Sequence, residues 1–233
     1  MIISTLSLFL FFGTMALALA AQMYVKSSFR RFSQVPARSG YTGAEVAAEI
    51  LRRNGISNVE IHETPHTLAD HYDPMHRRLV LSTPVFRGHS LSALGVAAHE
   101  AGHALQHKQA YFPLHLRMAA VGATNFASQI VMWLPILGMV TGMLATKTGL
   151  AIMAAGWGVI MLFNLITLPV EFDASARAKD MLARMGFLQT ADERAGVAKV
   201  LNAAALTYVA AFITSLAYFL MYILPLLTGR SRD

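Results

Sequence analysis

Four long apolar stretches constrain the fold of this 233-residue chain more than any other feature of its sequence. Each is long enough to cross a lipid bilayer as a helix, which takes about 20 apolar residues. They lie at 2–25, within 118–146, at 150–170 and at 203–228. The composition agrees, because 55% of the residues are hydrophobic and only 14% are charged, whereas a soluble domain has about 25% charged residues. The sequence therefore predicts a mostly α-helical membrane protein with about four transmembrane helices.

The first apolar stretch has a second interpretation. Its end, "ALALAAQ", resembles a signal-peptidase site, with small residues at the expected spacing. No Lys or Arg precedes the stretch, however, and Lys26, Arg30 and Arg31 follow it directly. This arrangement favours a retained transmembrane helix over a cleaved signal peptide.

The basic residues predict how the chain crosses the membrane. Most of them lie in two connecting segments, one between the first and second stretches and one between the third and fourth. Two membrane crossings separate these segments, so both lie on one side, and the positive-inside rule places that side in the cytoplasm. Both termini would then be outside. No basic run accompanies a nucleic-acid-binding motif, so we expect no nucleic-acid partner.

These considerations divide the chain into six predicted segments. In chain order they are transmembrane helix 1 (1–25), a cytoplasmic α+β segment (26–117), a transmembrane hairpin of helices 2 and 3 (118–170), a cytoplasmic helical segment (171–202), transmembrane helix 4 (203–228) and a tail (229–233).

The first cytoplasmic segment carries local signals of an α+β unit. Thr42 and Glu45 have the spacing of a capping box at the start of a helix, and Gly55 follows that helix's predicted end. Short strands are predicted near 59–63 and 79–82, where apolar and β-branched residues alternate or run together.

Between these strands, "ADHYDPMH" predicts a turn, because Asp73 and Pro74 break regular structure. After the second strand, a further helix is predicted. Either Ser90 or Ser92 caps its start, and it ends near His107.

This last helix contains "HEAGH", in which His99 and His103 are four residues apart and therefore lie on one face. Two imidazoles in that arrangement can bind one tetrahedral metal ion at about 2.0–2.1 Å. Glu100 would lie beside the metal, where it can take a proton from metal-bound water. The chain has no cysteine, so only His, Asp or Glu can hold a metal. The pattern is short and also occurs by chance, which leaves a histidine-rich helix without metal as the alternative.

A third ligand has to come from elsewhere, since His107 lies about 12 Å along the helix from His99 by the 1.5 Å rise per residue. Glu171 is a candidate, where the third apolar stretch meets the cytoplasm, although a carboxylate there can also be an ordinary interfacial charge. Ser175 lies on the same helix face and could hydrogen-bond a ligand, and Asp173 is a second candidate for that role. We expect His107 at the surface or facing a substrate.

Three motifs, "DHYDP", "VAAHEAGHALQH" and "LPVEFDASARA", together resemble the YugP-type bacterial membrane zinc metallopeptidases, and the resemblance covers nearly the whole chain. The layout is more distantly similar to HtpX and the CaaX prenyl proteases, gluzincins in which an Asp stands at the position of Ser175. The resemblance implies a zincin-like α+β unit in a bacterial plasma membrane. It also implies one Zn²⁺ held by His99, His103 and Glu171, with Glu100 as the base.

Other residues have open roles. "DHYDP" predicts a turn with a packed tyrosine, or else a site where His71 or Tyr72 donates to an oxyanion. The 79–82 strand could be an edge that pairs with an extended peptide substrate. Arg177 could contact a substrate, pair with an acid or be an interfacial charge.

We therefore predict an integral membrane zinc endopeptidase whose active site faces the cytoplasm. Zinc-bound water, assisted by Glu100, would hydrolyse peptide bonds of membrane proteins or misfolded proteins. The alternatives are a non-proteolytic metal-binding scaffold or regulator and a metal-ion transporter. Transport is disfavoured because charged residues are absent from the apolar stretches.

Overall fold

The computed structural model describes residues 5–229, so residues 2–4 of the first predicted stretch and 230–233 of the predicted tail lie outside the described residues. In chain order, the helices are α1 (Thr5–Ser33), α2 (Gly43–Arg53), α3 (Thr83–Phe86), α4 (Leu91–Lys108), α5 (Phe112–Thr141), α6 (Lys147–Arg184) and α7 (Ala191–Leu227), with a 3₁₀ turn at Met143–Ala145. The strands are β1 (Glu60–Thr64), β2 (His71–Asp73) and β3 (Arg78–Ser82). The predicted fold class, a mostly α-helical membrane protein with a small α+β unit, is confirmed.

Among residues 5–229, four helices are long and apolar enough to cross a membrane: α1, α5 as far as Gly138, α6 and α7. The described parts of the four predicted apolar stretches lie mostly within them, although the second stretch runs past the end of α5. α6 has 38 residues, far more than the roughly 20 that a bilayer requires. The helix continues past the end of the third apolar stretch at residue 170, so Glu171 also lies in α6.

One compact unit comprises the described parts of residues 1–20, 116–168 and 207–233. Within it, polar contacts join α6 to α7, because the Asn164 side-chain amide donates to the Ala211 carbonyl at 3.2 Å and to the Ser215 hydroxyl at 3.1 Å. The rings of Trp157 and Tyr218 stack with centroids 4.5 Å apart. Hydrogen bonds of this kind hold neighbouring helices together where lipid offers no competing donor.

The second compact unit comprises residues 21–115 and 169–206 and has its own hydrophobic core. Side chains from α2, β3, α4, α6 and α7 form this core, and among its fully buried members are Ile50, Leu79, Leu94, Leu182 and Leu201. Burying each of these side chains stabilises the folded state by about 1.5–3 kcal/mol relative to leaving it exposed. The candidate metal ligands lie in this unit.

The sheet of the second unit has the order β1-β3-β2, with β1 parallel to β3 and β2 antiparallel to it. The prediction that 79–82 is an edge strand is wrong, since β3 pairs on both sides. The predicted turn is present at 74–77, directly after Asp73, whereas the earlier part of the same segment, His71–Asp73, forms an edge strand. Asp70 holds it in place, because its carboxylate accepts hydrogen bonds from the Ser82 amide at 2.7 Å and the Ser82 hydroxyl at 2.9 Å.

The local helix signals are confirmed. Thr42 and Glu45 form a reciprocal capping box at the start of α2, and Gly55 follows the helix with a φ of +61°. The side chain of Ser90 caps α4, which ends at Lys108. These signals succeed because each depends on residues within one helical turn of one another.

Candidate metal centre

The helices α4 and α6 approach each other closely beside the predicted motif. A Cβ atom on Gly102 would lie 3.0 Å from the carbonyl oxygen of Ala174, so only glycine allows this approach without a shift. Ala174 and Ala178 on α6 are fully buried. Small residues on both helices therefore let side chains from α4 and α6 meet in one place.

His99 and His103 of α4 meet Glu171 of α6 at this crossing. The Glu171 Oε2 atom lies 3.2 Å from His99 Nε2 and 3.6 Å from His103 Nε2, and the three potential ligand atoms all lie within 4.8 Å of one another. Two ligands that are each about 2.0–2.1 Å from a tetrahedral zinc ion are about 3.3–3.4 Å apart. The spacing therefore fits one such ion. The structure brings the three predicted ligands together, and metal ligation by them stays a prediction.

Each histidine uses its Nδ1 atom for a different partner. His99 Nδ1 lies 3.2 Å from the Ser175 hydroxyl, and His103 Nδ1 lies 2.9 Å from Oε1 of Gln106. A donor hydrogen on Nδ1 leaves the lone pair of the ring on Nε2, the atom that faces Glu171. Ser175 was a predicted partner of a ligand, whereas Gln106 was not predicted.

Gln106 connects the two helices through a buried hydrogen-bond network. Its side-chain amide donates to the Val170 carbonyl at 2.8 Å and to the Asp173 carboxylate at 2.7 Å. Arg177 also donates to Asp173, and its other end donates to Gln109 at 2.6 Å. Asp173 thus reaches His103 through Gln106, and Arg177 pairs with an acid, one of the roles left open for it.

A sequence signal for Gln106 does exist. It follows His103 by three residues, so the two side chains lie on the same face of α4. A polar side chain there has to find a partner, because the helix is packed into the core.

Glu100 is also buried, at 8% exposure, and within residues 5–229 its carboxylate takes part in no hydrogen bond or ion pair. The negative charge of Glu100 affects the pKa of His103. Burial lowers the pKa of His103, but the contact with Glu171, the negative charges of Glu100 and Glu171 and the hydrogen bond with Gln106 outweigh that effect and raise the pKa above its ordinary value. The surroundings of His103 therefore favour positive charge, which a metal cation would supply.

The remaining predicted residues lie on and around β2. His71 is exposed, and its ring bonds to the Ala69 carbonyl at 2.8 Å. The Tyr72 hydroxyl lies 2.8 Å from Nδ1 of His107. Burial raises the pKa of Tyr72 and lowers that of His107, so at neutral pH the phenol keeps its proton and the imidazole is uncharged. Roles for these residues in catalysis or substrate binding stay predictions.

Comparison with known proteins agrees with the resemblance seen in the motifs. A family model described as "Putative neutral zinc metallopeptidase" matches residues 7–227. The chain is also 46% identical over 228 residues to "Putative membrane protease YugP" of Bacillus subtilis (strain 168), a match that covers 98% of this chain and all of the relative. No solved structure matches. The predicted resemblance is confirmed, and the chain belongs to the family of neutral zinc metallopeptidases that these findings define.

Proposed function

We propose that this protein is an integral membrane zinc-dependent endopeptidase. The observation that carries the proposal is the convergence of His99, His103 and Glu171 from two helices, with a buried Glu100 beside them. A purely structural metal site needs closed coordination and no neighbouring base. A buried carboxylate without a protein partner is instead suited to accept a proton from a reactant.

The donor set fits one zinc ion. Two imidazole nitrogens and one carboxylate oxygen are the protein ligands of many catalytic zinc sites, which keep a fourth position open. When bound there, zinc would lower the pKa of a water molecule and polarise a substrate carbonyl group.

Glu100 is the proposed general base and acid. Its carboxylate takes a proton from the attacking water and then gives that proton to the nitrogen of the departing peptide fragment. Ser175 and Gln106 keep the rings of His99 and His103 turned so that both Nε2 atoms face Glu171.

Substrate contacts are proposed near β2. Tyr72 and His107 line a cavity of about 270 Å³, together with Arg77 and Lys108. Since Tyr72 remains protonated at neutral pH, it can donate a hydrogen bond to the oxygen that becomes negative during peptide hydrolysis. His71 is the other candidate donor.

We further propose that the site faces the cytoplasm of a bacterium, with both termini outside, and that the six predicted segment bounds describe the membrane topology. Lys and Arg residues in 26–117 and 171–202 support this orientation. Membrane proteins and misfolded proteins that reach the membrane surface are the proposed substrates, because Glu171 directly follows a predicted membrane crossing.

Single cysteines test the orientation cleanly, since the chain has none of its own. We expect Ser57→Cys, an exposed position in 26–117, to react with a membrane-impermeant maleimide only after the cells are opened. Thr141→Cys, at the end of α5, should react in intact cells. The reverse pattern would place the site outside the cytoplasm.

The activity is tested by the cleavage of casein by the purified protein in detergent with zinc supplied. Glu100→Gln should lower the cleavage rate about 10²–10⁴-fold while zinc still binds, because only the proton transfer is removed. The control is Glu49→Gln, the same change at a glutamate on α2 that only forms surface ion pairs with arginines. Undiminished cleavage by Glu100→Gln would contradict the proposed base. Zinc binding without cleavage by the wild type would favour the non-proteolytic scaffold.

A further inference from the structure

The ligand histidines are held by partners of different kinds. A single hydroxyl, that of Ser175, contacts His99, whereas His103 contacts an amide that belongs to a larger network. That amide, Gln106, is completely buried in the second unit. A buried amide that makes three hydrogen bonds has a fixed orientation, which a lone hydroxyl does not.

The orientation of the Gln106 amide follows from its partners. The Val170 carbonyl oxygen and the Asp173 Oδ2 atom are acceptors, and the Arg177 guanidinium donates to the same Asp173 oxygen. Both therefore face the NH₂ group of Gln106. Its Oε1 atom is left to face His103, and an acceptor at 2.9 Å requires the hydrogen of that ring to be on Nδ1.

The same hydrogen bonds also hold the helix on both sides of the third predicted ligand, Glu171. Val170 and Asp173 flank Glu171 in the sequence, so Gln106 binds α6 on both sides of that residue. One side chain thus fixes the ring of a ligand on α4 and the local backbone that carries a ligand on α6.

We propose that Gln106 is a positioning residue of the metal centre: it holds His103 in the tautomer and orientation that point Nε2 at Glu171, and Asp173 with Arg177 holds Gln106. This inference rests on the proposed metal site. A competing explanation is that Gln106 only fills space in the core, and the two make opposite predictions for substitutions of similar shape.

The test measures zinc affinity by competition with a chelator, together with the visible absorption spectrum of the cobalt(II)-substituted protein. Gln106→Met keeps the approximate shape and removes the acceptor, so the zinc dissociation constant should rise about 10–100-fold and the cobalt spectrum should change. The control is Gln189→Met, the same change at an exposed residue, which should bind zinc like the wild type.

Asp173→Ala provides a second route that disturbs the core less, because the Asp173 side chain is 30% exposed. Without Asp173 the amide of Gln106 loses one of the acceptors that orient it, so zinc binding should weaken several-fold even if Gln106→Met fails to fold.

The outcomes separate this inference from the proposed activity. If Gln106→Met binds zinc as tightly as the wild type, with the cobalt spectrum of the wild type, Gln106 only fills space and the inference is overturned. If the wild type binds zinc but cleaves no casein, and Gln106→Met still weakens zinc binding, the activity fails and the inference stands. A wild type that binds no zinc would overturn both.

Discussion

The helices α4 and α5 follow each other in the chain, but they bury their apolar residues in opposite ways. Most side chains of α4 lie in the protein core. α5 is longer and more apolar, yet few of its residues are buried. It exposes the side chains of Phe126, Trp133 and Leu137 at 70%, 52% and 61%. Exposed apolar surface on this scale requires a nonaqueous environment. Apolar residues thus pack within the protein in one helix and face lipid in the other.

The side chains differ accordingly. Half of the buried residues of α4 are alanine or glycine, which permits close packing of helices, whereas α5 carries large side chains toward its surroundings. Only the first arrangement can hold ligand atoms at fixed distances, because a packed core resists displacement and a lipid contact does not.

The largest expected effect tests whether the packed region holds the metal. Glu171→Ala removes a proposed ligand, so zinc affinity measured by chelator competition should fall more than about 100-fold, beyond what loss of a partner outside the ligand set causes. Asp180→Ala, on the same helix but exposed, is the control and should bind zinc normally. Equal affinities for the two variants would mean that Glu171 is not a ligand.

A second prediction addresses the comparison directly through two leucines. Leu94→Ala in α4 leaves a cavity in a packed core and should lower the free energy of unfolding by about 2–5 kcal/mol. Leu137→Ala in α5 replaces a side chain that faces the surroundings and should cost less than about 1 kcal/mol. Denaturant titrations in the same detergent measure both. Similar costs would show that Leu137 packs against protein, which would remove the distinction between the helices.

A smaller effect is expected at the capping box of α2, the helix that packs on α4. Thr42→Ala removes the side chain that accepts a hydrogen bond from the Glu45 amide, so the free energy of unfolding should fall by about 1 kcal/mol. Ser57→Ala, at an exposed residue outside any helix, is the control. No loss in Thr42→Ala relative to the control would mean that packing alone fixes the start of α2.

The smallest effect concerns pH and the anchor of β2. Burial raises the pKa of Asp70, an effect that the hydrogen bonds from Ser82 only partly offset. The folded state therefore binds a proton there more tightly than the unfolded state. Stability from this group is lost as pH rises from the unfolded pKa, near 3.9, through the higher folded pKa.

The Asn side chain in Asp70→Asn does not titrate, yet its amide oxygen can still accept a hydrogen bond from Ser82. We expect the difference in unfolding free energy between this variant and the wild type to shift in favour of the variant as pH rises from about 4 toward neutral. Denaturant titrations across that range measure it. A difference that is constant with pH would show that Asp70 titrates alike in both states.

Features set by neighbouring residues could be predicted from the sequence. The apolar stretches, the capping box at Thr42 and the helix that bears His99 and His103 all depend on contacts within a few turns. The position of Glu171 after an apolar stretch made it one candidate ligand, and its assignment beside His99, which is 72 residues away, came from the resemblance to a family.

Features set by distant contacts could not be predicted in the same way. The strand at His71–Asp73 has three residues and is fixed by Asp70, whose partner Ser82 lies twelve residues away. The local signal at Asp73 and Pro74 therefore predicted the turn at 74–77 but not the strand before it. The order of the sheet depends on pairing that no single strand specifies, which is why 79–82 was wrongly placed at an edge. Gln106 was missed because its acceptors are 64 and 67 residues along the chain.

The close approach at Gly102 makes the dimensions of the site depend on a residue that binds nothing. A methyl group there would press on the backbone carbonyl of Ala174, three residues beyond Glu171, and one helix would have to yield by a few tenths of an ångström. If the helices moved apart, the distance from the Glu171 carboxylate to the imidazoles of His99 and His103 would increase by a similar amount. Residue 102 therefore works as a spacer between the helices, and substitutions of increasing size there offer a way to tune the site from small, tightly held ions toward larger ones.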